Sequence, residues 1–313
     1  MIITVASGKG GTGKTMVAVN LALSIASKRL SVQASKRPSD ESAETLGRYD
    51  ATTLFLDCDV EAPNAYLFLK PIFKGQEEVT LLAPEIVLDK CTYCGRCAEA
   101  CNYNALAVVR NQVLFFSELC HGCGACALVC PERAIHEVPE VIGLIEEGVV
   151  STPLADLDFA HGVLEIGRAI APPVIRQLKR RINSNRLVII DASPGTSCPV
   201  VEAMKGADFV LLVTEPTPFG LHDLRLTVEV ARDELGLPVG VVINRDGIGD
   251  EKVEEYCQSE GIPLLMRIPF DRRIAEVYSE GGLVIEALPE YRAKFMQLYL
   301  RIADHISGNI KEE

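Results

Sequence analysis

Residues 7–15 read Ser-Gly-Lys-Gly-Gly-Thr-Gly-Lys-Thr. An apolar run at 2–6 precedes them and a helical pattern at 16–26 follows, so the spacing predicts strand, glycine-rich loop and helix. Gly8, Gly10, Gly11 and Gly13 let backbone N–H groups turn inward, and the helix N-terminus adds partial positive charge. Lys14 is placed to reach β- and γ-phosphates, and the Thr15 hydroxyl to sit on Mg²⁺. A glycine-rich turn with a chance lysine would not meet all of these conditions at once. The stretch predicts a nucleotide-binding loop, with Thr12 inside it.

The chain has 313 residues, 48% of them hydrophobic, which suffices for one large α/β domain with an added module. No apolar run reaches the ~18 residues of a membrane span. No charged segment precedes Ile2 and Lys9 interrupts any signal-like run, so a cytoplasmic protein is expected. The formal charge of −12 argues against a nucleic-acid partner, which would call for a basic face.

Eight of the eleven cysteines fall between Cys91 and Cys130. They form two identical runs, Cys91-x-x-Cys94-x-x-Cys97-x-x-x-Cys101 and Cys120-x-x-Cys123-x-x-Cys126-x-x-x-Cys130. Three closely spaced thiolates suit one [4Fe-4S] cubane, while the fourth of each run reaches the other cluster. The expected sets are Cys91, Cys94, Cys97 and Cys130 for one cluster, and Cys120, Cys123, Cys126 and Cys101 for the second. Two structural zinc sites are the rival reading, but zinc favours paired doublets with longer spacers. Residues 85–140 resemble bacterial two-cluster ferredoxins. The proline expected after the fourth cysteine is present as Pro131 and replaced by Asn102 in the first run.

Strands are expected at 51–56, 79–82, 186–190, 209–213, 239–243 and 263–268. Helices are expected at 172–182, 221–235, 250–260, 271–280 and 291–306. This alternation predicts an α/β fold, a mostly parallel sheet with helices on both faces. Residues 27–50, rich in Ser, Lys, Arg, Asp and Glu, read as a solvated loop. Residues 141–167 suit a hairpin turning near Ser151-Thr152-Pro153. Pro84 and Pro139 bracket the cysteine segment as module boundaries, leaving 1–84 and 141–313 for the larger domain and 85–140 for the insert. The apolar residues of the final helix, among them Phe295, Leu298 and Ile302, suit core packing better than a membrane surface, since no basic face adjoins them.

Lys9, which an ordinary phosphate loop does not require, makes the chain resemble the deviant-Walker ATPases of the MinD superfamily, which include the nitrogenase iron protein. The resemblance implies that Lys9 reaches the partner's phosphates across a nucleotide-dependent homodimer, cancelling transition-state charge as an arginine finger does. Asp57-Cys58-Asp59 resembles switch I: Asp59 would orient the attacking water and Asp57 help hold the metal's water shell. Asp191-Ala192-Ser193-Pro194-Gly195 resembles switch II: Asp191 would hold Mg²⁺ through water and the Gly195 N–H sense the γ-phosphate. Asn244 falls where the family reads adenine. Cys198, seven residues after Asp191, stands either as a labile cluster ligand meeting its copy at a dimer axis or as a small buried residue. Cys58 and Cys257 read as structural, His161 and His222 as residues with ordinary polar contacts, and His121, inside the second cysteine run, as a residue behind the cluster ligands or at the surface.

Nearly the whole chain resembles MinD-superfamily ATPases with an inserted ferredoxin domain. The implied function is an Mg²⁺-dependent, switch-like ATPase whose nucleotide state gates electron transfer from two [4Fe-4S] clusters to a redox partner. One alternative is a carrier delivering a cluster to an apo iron–sulfur protein. A second is a ParA/MinD-type positioning ATPase, which would need a basic patch or an amphipathic tail. No membrane partner is expected.

Overall fold

A computed structural model describes residues 1–35, 52–168 and 170–309. Its main sheet has nine strands: β1 (Ile2–Ser7), β2 (Leu54–Cys58), β3 (Ile72–Ile86), β6 (Ile135–Ser151), β7 (Asp156–Leu164), β8 (Val188–Pro194), β9 (Phe209–Thr214), β10 (Val239–Asp246) and β11 (Leu264–Pro269). A separate hairpin pairs β4 (Leu106–Val109) with β5 (Gln112–Phe115). The sheet order is β11-β10-β9-β1-β8-β2-β7-β6-β3. From β11 to β7 every neighbouring pair is parallel, and β6 and β3 add on antiparallel.

The parallel strands are apolar on both sides because helices cover both faces. Ile3, Val5, Ile189, Leu211 and Val213 pack on one face with the helices Lys14–Ser35 and Glu290–Asn309. Leu56, Val188, Ile190, Val210 and Leu212 pack on the other with Pro172–Lys179, Cys198–Met204 and Pro218–Val228. In the final helix Phe295, Leu298, Tyr299 and Ile302 are buried, as core packing requires.

Three expectations change. The first helix runs to Ser35, so residues 27–35 are helical rather than loop; 36–50, the rest of that expected loop, lie outside the described residues. The short strand at 79–82 is part of a 15-residue strand. Pro84 and Pro139 are not boundaries: Leu82 pairs with Pro139 and Pro84 with Glu137 inside one antiparallel ribbon. A two-stranded ribbon has only edge strands, and an edge tolerates a missing N–H.

Strand β7 accompanies β6 only from Ser151 back to Gly143, paired with Leu164. Beyond that point β3 and β6 continue alone to the Ile86–Ile135 pair, and the cysteine segment closes the end. Within that segment the 29-residue repeat is also a repeat of backbone. The 3₁₀ turns Leu88–Lys90 and Ser117–Leu119 correspond, as do the short helices Arg96–Glu99 and Ala125–Leu128. So do the left-handed residues Gly95 and Gly124, Tyr93 and Gly122, and Asn104 and Arg133. Leu106 pairs with Phe115 as Ile135 pairs with Ile86, so the ribbon's far end is the counterpart of the β4–β5 hairpin.

Candidate functional site

The loop between β1 and the helix starting at Lys14 borders a cavity of about 380 Å³ at the C-terminal ends of the parallel strands. Ligands of open α/β sheets bind at that edge. Lys9, Lys14, Thr15, Asp59, Asn244 and Phe270 are among its walls. The glycines serve different needs. A Cβ on Gly8 would lie 2.3 Å from the Asp223 carbonyl oxygen, so Gly8 answers to packing; one on Gly10 would meet nothing within 4 Å. Gly8 and Thr12 are not cavity walls: the Thr12 carbonyl accepts a 2.7 Å hydrogen bond from Asn244 Nδ2.

Asp191, midway along buried strand β8, gathers the loop's cation and hydroxyl. Its Oδ1 is 2.6 Å from Lys14 Nζ, and its Oδ2 accepts from Thr15 Oγ1 at 2.7 Å. All three side chains are buried. Burial alone would pull the Lys14 pKa down; the Asp191 charge and hydrogen bond, with Asp57 and Asp59 behind them, hold it above the ordinary range. Asp59 lies in the cavity wall, and burial raises its carboxyl above the usual range.

Two expected roles are not matched by the geometry. Asp57 does not face the cavity. Its Oδ1 accepts from the Asp59 N–H (3.1 Å) and its Oδ2 from those of Asn64 and Ala65 (3.0 Å each), so in this conformation it shapes the 59–65 loop. Burial first, then the Asp191 charge, pushes its pKa up to about 7 against those donors and Lys14. Gly195 donates its N–H to the Ser7 carbonyl at 2.8 Å, so in this conformation it is turned away from a phosphate.

Lys9 is about one-third exposed and lies 3.2 Å from buried Glu215, which also accepts from Arg245 Nη1 at 2.5 Å. That pairing of distant segments carries no sequence signal. Cys198 is exposed at the start of its seven-residue helix, not a small buried residue. Cys58 and Cys257 are buried, and burial pushes both thiols up, Cys257 to about 11, consistent with inert packing. His161 pairs with Glu146 at 2.9 Å, and His121 stacks on Tyr103 at 3.6 Å.

The eight clustered cysteines line two further pockets. Cys91, Cys94, Cys97 and Cys130 border one, together with Ile86 and Ile135; Cys101, Cys120, Cys123 and Cys126 border the other, beside Leu82 and Pro84. The fourth cysteine of each run thus crosses to the other run's pocket. Backbone N–H groups of Ala105 and Ala134 donate to Cys101 and Cys130 Sγ at 3.3 Å, and Tyr93 to Cys91 Sγ at 3.4 Å. Among the described residues no three His, Cys, Asp or Glu side chains close around one point as a single metal ion requires. No helix among the described residues is long and apolar enough to cross a membrane.

Comparison with known proteins covers nearly the whole chain. The pattern of CbiA, the CobQ/CobB/MinD/ParA nucleotide binding domain, matches residues 3–284. An uncharacterized protein of Methanocaldococcus jannaschii is 32% identical over 294 residues, 90% of each chain. Among solved structures, the cell division ATPase MinD of Pyrococcus furiosus is similar with a TM-score of 0.52 and 22% identity, covering 98% of both chains. The septum site-determining protein MinD of Pyrococcus horikoshii, complexed with Mg-ADP, gives 0.52 and 20%, covering 97% of this chain and 95% of its own. With its phosphate loop, buried Lys14–Asp191 pair and parallel sheet, the chain belongs to the CobQ/CobB/MinD/ParA family of nucleotide-binding domains and is a P-loop ATPase.

Proposed function

We propose that this ATPase carries two [4Fe-4S] clusters in residues 85–140, and that its nucleotide state governs how they meet a redox partner. The observation carrying the reading is the crossed arrangement of cysteines in a backbone repeat: each pocket has three thiols from one run and the fourth from the other. Four thiols per pocket, N–H donors aimed at sulfur and apolar walls fit that group's needs. When bound, such clusters supply one-electron transfer.

The nucleotide chemistry falls to the chain's own residues. Mg-ADP, bound by the Pyrococcus horikoshii relative, suggests ATP with Mg²⁺ here. The loop N–H groups and Lys14 would hold the phosphates, and Thr15 and Asp191 the metal with its water. Asp59 would orient the attacking water. Lys9, released from Glu215, would reach across a homodimer. Gly195 would exchange Ser7 for the γ-phosphate, making switch II responsive to its loss. Asn244 would border the base.

Iron and acid-labile sulfide in anaerobically isolated protein test the reading. Eight of each per chain are expected, falling by half in Cys91→Ser and Cys120→Ser; zinc or no iron would defeat it. Iron-labelled protein mixed with an apo acceptor separates two versions, since retained label supports electron donation and transferred label a carrier using Cys198. A second reading, a positioning ATPase, is favoured by the names of the relatives with solved structures. ATP-dependent sedimentation with DNA or lipid vesicles would support it.

A further inference from the structure

The two halves of the cysteine segment are alike in sequence and backbone, yet they sit differently on the ATPase domain. The pocket of Cys101, Cys120, Cys123 and Cys126 lies beside Leu82, Pro84 and Glu137, part-way along the ribbon; the other includes Ile86 and Ile135, at its end. A Cβ on Gly122 would lie 2.5 Å from Leu81, so the second run packs directly on the ribbon. One arginine joins the second half to the larger domain. Arg168, about 13% exposed, donates Nη1 to the Ser117 carbonyl at 3.3 Å, three residues before Cys120. Its Nη2 donates to Glu140 Oε1 at 2.7 Å and to the Val141 carbonyl at 3.0 Å, and its Nε to Glu165 at 3.4 Å. Among the described residues, the matching turn Leu88–Lys90 has no such clasp from the larger domain.

Arg168 grips the place where the ribbon leaves the sheet. The pairing slips between Val79–Gly143 and Thr80–Val141, leaving Ile142 as an extra residue, and β7 ends at the Leu164–Gly143 pair. A bulge at such a point bends and twists a ribbon. The Glu165 N–H donates to the bulged Ile142 carbonyl at 2.9 Å. One residue earlier, the Leu164 N–H donates to the Val60 carbonyl at 2.8 Å, and Val60 directly follows Asp59. A Cβ on Gly162 would lie 2.7 Å from Val60 Cγ1, so this approach is close as well as hydrogen-bonded. Within five residues, one strap therefore touches the cavity-wall loop at Val60, the bulge at Ile142 and the second cysteine turn at Ser117.

We propose that residues 164–168 are the mechanical link between nucleotide and cysteine module, with Arg168 as the positioning residue that sets the second four-cysteine pocket against the ATPase domain. Displacement of Asp59–Val60 moves Leu164, and the strap transmits it through Glu165 and Arg168 to the bulge and to Ser117. The link is reciprocal, so the state of the module feeds back on nucleotide affinity by the same factor. It rests on the reading that nucleotide state governs the module, and identifies the part that carries it.

Hydrogen–deuterium exchange on anaerobically isolated full-length protein, with and without MgATP, tests the link in wild type, Arg168→Ala and Arg168→Lys. In the wild type MgATP is expected to change exchange at 117–124 and 140–143 by roughly 2- to 30-fold. Both variants should lose that change while keeping the one at 8–15 and their iron content, since an ammonium cannot reproduce the guanidinium's fork. Should the Arg168 variants lose iron, Glu140→Gln removes only the carboxylate end of the clasp and should still weaken the change at 117–124 at least twofold. An undiminished response at 117–124 in the variants overturns the strap and leaves the gating reading standing. A wild type that responds at 8–15 but not at 117–124 overturns both.

Discussion

Asp57 is a fully buried carboxylate that the surrounding charge does not favour. Burial and Asp191 raise its pKa to about 7, above the 3.8 of an ordinary aspartate. Between those values the folded chain keeps a proton that the unfolded chain has lost, so Asp57's contribution to stability declines as pH rises towards 7 and is flat above it. Asp57→Asn removes that dependence. Urea unfolding should show the variant faring better relative to wild type at pH 8 than at pH 5; an equal difference at both would contradict the assignment. The loop glycines allow a second separation. Gly8→Ala drives a methyl into the Asp223 carbonyl and should cost roughly 1–3 kcal/mol. Gly10→Ala has open space and should leave the unfolding free energy in urea within about 0.5 kcal/mol of wild type while weakening nucleotide binding measured by calorimetry. Lys14 and Thr15 stand at fixed places in a strand–loop–helix pattern, whereas Asp191 came in only through the family resemblance, and its direct contacts with both are visible only in three dimensions. The partners Asp57 has in this conformation were not legible: they are N–H groups of its own loop, and backbone donors carry no residue-type signature. Lys9–Glu215 and Arg168–Ser117 join segments with no local pattern to connect them.

At the scale of elements, the β3–β6 ribbon explains why the expected boundaries failed. Seven consecutive residues from Ile72 to Glu78 are exposed, so the strand has no buried face to impose an alternating pattern. Only residues near Val79 looked strand-like, and the prolines looked like stops. The parallel strands were easy to read for the opposite reason, being apolar on both faces. The ribbon also predicts that the module is removable. Ile86 faces Ile135, and a two-residue Asn-Gly connection suits an antiparallel pair there. Replacing residues 87–134 by Asn-Gly should give an iron-free chain that still unfolds cooperatively and binds ATP by calorimetry. Loss of cooperative unfolding would mean that the module is part of the ATPase core.

For the molecule as a whole, the cysteine segment lies in sequence between Asp59, just after β2, and Asp191, within the adjacent strand β8. Under the proposed gating, a change in the phosphates acts at both ends of that stretch. The α/β architecture and the repeated cysteines were legible because periodicity and spacing are local. How the module is mounted was not, since the ribbon's register and the Arg168 clasp exist only in three dimensions. The most direct test of the whole account is an anaerobic redox titration of the full-length protein followed by electron paramagnetic resonance, with and without MgATP, in wild type and Lys14→Ala. The account predicts cluster signals in both proteins and a nucleotide-dependent shift in midpoint potential in the wild type alone. Midpoints indifferent to MgATP in the wild type would contradict it.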